Sequence, residues 1–160
     1  MIALSIGKPL PAFFSNSIPK SGTNLVKQLV LGIPGISHNL VNHTIYGHFE
    51  QEKASRLRSL QQNQFGAGHI VYSEEWVRIF KELNMKQLII SRDPRDIVVS
   101  YVPFMKKFPN LSPITSYIVN DLKTDKERYL TIIRGMKNSK YDDINRFYRR
   151  YMGWFNAPNT

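Results

Sequence analysis

The chain has no cysteine among its 160 residues. That excludes a disulfide framework, a thiolate metal site and a cysteine nucleophile. No uninterrupted apolar run reaches the length of about 18 residues that would suggest a membrane span. The N-terminal stretch Met1 to Phe14 is broken by Lys8, Pro9 and Pro11 and has no signal-peptide core. A cytoplasmic location is therefore expected. No group of residues has metal-ligand spacing, so no metal is expected. Acidic residues are scarce, with 12 Asp and Glu against 22 Lys and Arg, a formal net charge of +10. The basic residues are scattered through Lys106-Lys107, Lys137 to Lys140 and Arg146 to Arg150. No basic cluster interleaved with aromatics marks a nucleic-acid module. Most of the excess reads as a solvated face, and part of it as counter-charge for a small polyanion. Hydrophobic content of 42% and aromatic content of 12% fit one globular domain over residues 1–160.

What is present is concentrated in two short segments. The first reads Ile18-Pro19-Lys20-Ser21-Gly22-Thr23-Asn24-Leu25 and follows the apolar Ala12-Phe13-Phe14. A strand running through such a turn into a helix builds an anion cradle. Gly22 permits an unusual dihedral or a close backbone approach. The amides opening the helix lack intrahelical partners and point at the anion. Lys20 adds a point charge, and Ser21 and Thr23 add hydroxyl donors. The expected ligand carries phosphate or sulfate. The alternative is an ordinary strand-turn-helix junction with a surface lysine.

The second segment runs from Leu88 to Tyr101. Leu88-Ile89-Ile90 has the mark of a buried parallel strand. Asp93-Pro94 predicts a helix start, with Asp93 as N-cap and Pro94 at the first helical position. Asp96 adds negative charge to the first turn. Ile97, Val98, Tyr101 and Met105 continue an apolar helical face. Arg92 stands at the strand end and Ser100 two turns into the helix. A guanidinium fork and a hydroxyl there could meet around one phosphate.

Together these segments resemble the cytosolic-type sulfotransferase family, including its bacterial members. Lys20-Ser21-Gly22-Thr23 is similar to the loop that binds the 5′-phosphosulfate of the donor PAPS (3′-phosphoadenosine 5′-phosphosulfate). Arg92-Asp93-Pro94-Arg95-Asp96 with Val99-Ser100-Tyr101 is similar to the signature for the 3′-phosphate. The resemblance implies that Lys20, Ser21, Gly22, Thr23 and Asn24 hold one end of the donor, or of its product PAP, and Arg92 and Ser100 the other. Gly68-His69-Ile70-Val71-Tyr72 resembles the segment carrying the family's catalytic histidine, commonly Lys-Thr-His-Leu-Pro. Here Ala67 and Gly68 replace the lysine and threonine. His69 is the candidate general base, and Lys20 the candidate stabiliser of the leaving phosphate. His38, His43 and His48 lie in a polar, loop-like region.

The elements expected are strands over Ala12 to Ile18, His69 to Tyr72 and Gln87 to Ser91. Helices are expected over Thr23 to Leu31, Gln51 to Gln62, Glu74 to Leu83, Pro94 to Met105, Asp125 to Gly135 and Tyr141 to Phe155. Leu25, Val26, Leu29 and Val30 read as the buried side of the first helix. Ser37 to His48 reads as an uncertain, loop-like stretch. Strands alternating with helices predict an α/β protein, a three-layer α/β/α with a central parallel sheet. The final third is expected to be helical, and the resemblance implies the P-loop-like sulfotransferase fold.

In the family a further strand follows a Gly-Trp pair, here Gly153-Trp154, and then a glycine- and lysine-rich segment completes the 3′-phosphate site. Neither precedes Thr160, so the likeness is to the first part of such a domain. The resemblance implies sulfuryl transfer from PAPS to a hydroxyl or amine of a small-molecule or glycan acceptor, and no membrane or nucleic-acid partner. Gly35 to Phe49 and Pro103 to Ser116 are the stretches expected to line the acceptor pocket. Tyr46, Phe104 and Phe108 suit an aromatic or lipid acceptor and Lys106 and Lys107 an acidic sugar, which leaves the acceptor open. One alternative is a non-catalytic or partner-dependent nucleotide-binding fragment. Another is a P-loop kinase, although its lysine follows the second glycine and here Lys20 precedes Gly22.

Overall fold

The computed structural model describes residues 8–137 and 141–160. Part of the N-terminal stretch and Lys140 of the basic residues lie outside them. The order of elements is β1 (Phe13–Ser17), α1 (Thr23–Leu31), β2 (Thr44–Gly47), α2 (Gln51–Arg58), β3 (Phe65–Ile70), α3 (Glu74–Glu82), β4 (Lys86–Ile90), α4 (Pro94–Lys107), α5 (Pro113–Asn120), α6 (Asp125–Arg134) and α7 (Ile144–Met152). A 3₁₀ turn over Gly153–Asn156 closes the series. The described residues form two compact units, one of residues 8–91 and 151–160 and one of residues 92–137 and 141–150.

The first unit is built on a parallel four-stranded sheet in the order β2-β3-β1-β4. β1 pairs with β3 from Phe13 opposite Phe65 to Asn16 opposite Gly68. It pairs with β4 from Phe13 opposite Lys86 to Ser17 opposite Ile90. Successive side chains of a strand point to opposite faces, and Phe13 and Phe14 show it. Phe13 packs with Phe65, Ala67, Val26 and Val30, so α1 covers that face. Phe14 packs with Ile45, Ala54, Leu57, Trp76 and Phe80, so α2 and α3 cover the other. The expected three-layer arrangement is thus realised within this unit.

Four expectations need correction. Ser37 to His48 contains a strand, β2, because Thr44–Gly47 pairs in register with Ala67–Ile70. The strand carrying His69 begins four residues earlier than expected, at Phe65. Leu25 and Leu29 are each 66% exposed. The buried stripe of α1 is therefore Val26 and Val30 alone, set by contact with Phe65 and Ala67. Leu88 is 48% exposed, because β4 lies at one edge of the sheet rather than inside it.

The second unit is helical. Val98, Val102, Met105, Ile118 and Ile132 form its core. Asp93 caps α4 through the Arg95 amide at 2.8 Å, with Pro94 in the first turn as the sequence predicted. Thr124 and Glu127 form a reciprocal capping box on α6. No helix of the described residues is long and apolar enough to cross a membrane.

Candidate functional site

The turn between β1 and α1 closes with the Ser21 amide donating to the Ile18 carbonyl at 3.1 Å. Lys20 sits at the third position of this turn with φ of 72°. That position calls for positive φ and ordinarily takes glycine. A lysine there is strained, and strain of this kind gathers where a side chain is held for use. Gly22 follows as the N-cap of α1 with φ of 103° and ψ of 22°. The two left-handed residues bend the backbone into a concave turn leading to the start of the helix.

The helix start is uncapped. The first helical bond is the Val26 amide to the Gly22 carbonyl, at 3.1 Å. Hence the amides of Thr23, Asn24 and Leu25 have no carbonyl one turn back within α1. α1 has no side-chain cap and no acidic residue in its first turn. By contrast, α3, α4, α5 and α6 are capped by Ser73, Asp93, Ser112 and Thr124. The Ser21 hydroxyl is buried, with the residue 8% exposed, and has no hydrogen-bond partner. An orphaned buried hydroxyl costs about 1–3 kcal/mol, and an anion in the cradle would satisfy it. Asn24 and Gly22 are exposed, and Thr23 and Lys20 are half-buried.

Hydrogen bonds join this cradle to His69. The Ser17 hydroxyl lies 2.7 Å from Thr23 Oγ1, 3.2 Å from the Gly68 carbonyl and 3.1 Å from His69 Nδ1. The Ser17 carbonyl lies 2.8 Å from the same Nδ1. His69 thus stands at the end of β3 against the end of β1. Burial pushes the His69 imidazole below its ordinary value, the bond to Ser17 opposes this, and the charge of Lys20 adds to it. The exposed Tyr46 ring stands 5.3 Å from the His69 ring.

Side chains given no such role by the sequence analysis hold Ile70, the residue after His69. Asn16, fully buried, accepts from the Ile70 amide at 2.9 Å and donates to the Ile70 carbonyl at 3.1 Å. Trp154 Nε1 donates to that same carbonyl at 2.8 Å. The signal was available, since Ser15-Asn16-Ser17 is a polar run inside a strand of a kind normally filled by apolar residues. Gly68 explains the departure from the family's threonine. A Cβ on its present backbone would lie 1.8 Å from the Ile45 carbonyl oxygen. His43 also departs from expectation. It is 6% exposed rather than in a loose polar loop, packed beside His38 at 6.4 Å between ring centres.

Arg92 and Ser100 belong to the second unit. Arg92 Nε pairs with Asp96 Oδ2 at 3.3 Å, both side chains about half exposed. Ser100 donates to the Ile97 carbonyl at 2.9 Å, a local helix bond. Both groups are therefore satisfied within their own helix region. An exposed ion pair is worth only about 0–1 kcal/mol, so a phosphate dianion could displace Asp96.

Comparison with known proteins bears on the family and the fold. A family model described as sulfotransferase domain matches residues 11–156. Among solved structures the chain is similar to mouse sulfotransferase SULT7A1, crystallised in complex with PAP, with a TM-score of 0.59 and 20% sequence identity. That match covers 93% of this chain and 49% of the other, so this chain spans about half the length of that relative. A search of curated proteins finds no match. The cradle on β1 and α1 and the histidine on β3 thus lie in a parallel sheet of that fold, and the chain belongs to the sulfotransferase domain family.

Proposed function

We propose that the chain transfers a sulfuryl group from PAPS to an acceptor hydroxyl or amine, with His69 as general base. The observation that carries this is the chain of contacts from the open cradle through Ser17 to His69. PAPS supplies the sulfuryl group, whose bond to the phosphate oxygen breaks as the acceptor oxygen or nitrogen bonds to sulfur. The cradle fits such an anion, with free amides, an orphaned Ser21 hydroxyl and no competing carboxylate in the first turn. Thr23, Ser21 and the amides of Gly22 and Asn24 hold the 5′-phosphate end. Arg92 and Ser100 hold the 3′-phosphate.

The carbonyl of Ser17 can only accept, so Nδ1 of His69 carries a proton when the ring is neutral. The Nε2 lone pair then remains to take the acceptor's proton. Burial and the charge of Lys20 favour the neutral ring, as a base at neutral pH requires. Lys20 stabilises charge building on the leaving phosphate, a preorganised electrostatic role. Tyr46, beside the His69 ring, lines the acceptor side.

The test is thermal shift with PAP against ATP and Mg²⁺, followed by transfer of labelled sulfate from PAPS to a panel of phenols, amines and glycans. Stabilisation by PAP together with transfer supports the proposal. Stabilisation without transfer assigns nucleotide binding alone. Stabilisation by ATP and Mg²⁺ only overturns both.

A further inference from the structure

We propose that Ser17 is a positioning residue that couples the anion cradle to the base, so that an anion engaging Thr23 rearranges the hydrogen bonds of His69. This rests on the sulfotransferase reading above. Ser17 is fully buried at the end of β1. Two of its atoms approach one imidazole nitrogen, the carbonyl at 2.8 Å and the hydroxyl at 3.1 Å. Because the carbonyl takes the Nδ1 proton, the hydroxyl has no need to donate to that nitrogen. Its proton goes to the Gly68 carbonyl at 3.2 Å. Thr23 then donates to the Ser17 hydroxyl across 2.7 Å. The chain runs from Thr23 through Ser17 to Gly68; Thr23 occupies one Ser17 lone pair, and the other faces the Nδ1–H at 3.1 Å beside the closer carbonyl.

An anion in the cradle draws the Thr23 proton to itself. The Thr23 oxygen becomes an acceptor, and the Ser17 hydroxyl turns from Gly68 to donate to it. Relieved of the Thr23 proton, its oxygen accepts more strongly from the Nδ1–H of His69. A better-accepted Nδ1–H makes Nε2 more basic, as outer hydrogen bonds do for metal-bound histidine. The groups facing His69 are Lys20 from the turn, whose charge opposes protonation, and the Tyr46 ring from β2. Among the described residues no carboxylate bonds to His69. The base would thus gain strength when the donor is in place. By linkage, PAP should bind more tightly as pH falls through the pKa of His69.

A Coulomb effect of the ligand's charge would act in the same direction, and substitution at Ser17 separates the two. The experiment is imidazole nitrogen NMR of His69 against pH, with and without PAP, in wild type, Ser17→Ala, Ser17→Thr and Thr23→Val. PAP affinity is measured by calorimetry on the same samples. The expected result has three parts: an Nδ1–H tautomer in the free wild type, a rise in the His69 pKa on PAP binding that shrinks by half or more in Ser17→Ala and Thr23→Val, and recovery in Ser17→Thr. An Nε2–H tautomer, or an undiminished rise in both Ser17→Ala and Thr23→Val, overturns the coupling. If Ser17→Ala does not fold, Thr23→Val decides it, since it cuts the chain at the half-buried end. Failure of wild type to bind PAP overturns the donor reading instead. Inorganic pyrophosphate, which needs only the cradle, then serves as the probe of coupling, read by the same outcomes.

Discussion

The groups proposed to bind the donor are held in opposite ways in the sheet unit and the helical unit. In the sheet unit the candidate atoms are left unsatisfied or are fixed by residues far away in sequence. Ser21 has no partner, and His69 is held by Ser17 from a different strand. In the helical unit Arg92 and Ser100 are satisfied by near neighbours, Asp96 and the Ile97 carbonyl. The first arrangement has its heavy atoms already in place, so that an anion need only turn the hydroxyl protons of Thr23 and Ser17. The second exchanges weak local partners for a stronger one. Chemistry that depends on position is therefore expected in the sheet unit, and affinity that depends on charge in the helical unit.

The sharpest break of this comparison is at His69. His69→Ala and His69→Asn should lower transfer about 10²–10⁴-fold while PAP affinity, by calorimetry, stays nearly unchanged. Retained turnover would move the base elsewhere. Activity in wild type should fall on acidification, through a pKa below the ordinary 6.5 because burial lowers it.

Lys20 comes next. Lys20→Met should lower the turnover rate about 10²–10³-fold, in the range for loss of one preorganised donor, with a smaller change in donor affinity. Lys20→Gly should lose the same activity yet gain about 1 kcal/mol of stability, because glycine accepts the left-handed conformation that lysine resists. Denaturation in urea measures this. A loss of stability in Lys20→Gly would show that the side chain supports the fold.

In the helical unit the effects should be smaller and confined to binding. Arg92→Ala should weaken PAP roughly ten- to a hundredfold, from about 1.5–3 kcal/mol for charge-assisted bonds. Ser100→Ala should cost roughly three- to tenfold at most. Equal PAP affinity in wild type and Arg92→Ala would remove the 3′-phosphate assignment.

The smallest expected effect is on acid stability, and it also divides the units. All four histidines lie in the sheet unit. His38, His43 and His69 are each lowered from 6.5, by burial first. The unfolded chain then binds more protons than the native one, so stability falls as pH drops from 6.5 toward the folded values. The helical unit has no histidine but carries lowered carboxylates, Asp93 at about 2 through its bond to Arg95, and Asp125 through Lys106, as the sheet unit also does at Glu75 and Glu82. Their contribution is present above the ordinary carboxylate range and is lost only below about pH 4. Hydrogen exchange followed against pH should show amides of the sheet unit opening first. Replacing His38 and His43 with Gln and Leu should flatten that dependence, leaving the part due to His69.

Much of the local structure of the candidate site could be read from the chain because its parts are contiguous. Lys20 to Asn24 build a turn and a helix start whose geometry follows from local rules, and α1 begins at Thr23 as the pattern required. Asp93-Pro94 announced α4 for the same reason, since a cap and a first-turn proline act on their own neighbours. The nearby Leu25 and Leu29 were misread because periodicity reports which residues share a face and not whether anything covers it. β2 was missed because Thr44–Gly47 becomes a strand only by pairing with β3, and Leu88 looked buried because strand order cannot be read from a single strand.

By itself the sequence determined the local devices, namely the open helix start, the capped helices, the alternation of strand and helix, and a histidine in a recognisable setting. Tertiary structure decided what those devices touch. It placed Ser17 between Thr23 and His69, gave Asn16 both backbone groups of Ile70, and brought Ile45 so close to Gly68 that no side chain fits. The contacts of Ser17 with His69 and of Asn16 with Ile70 join residues about fifty positions apart, and parallel pairing needs a crossover between its strands. The register that brings the ends of β1 and β3 together is fixed by the packing of Phe13 and Phe14 on opposite faces of the sheet, a choice no local pattern contains.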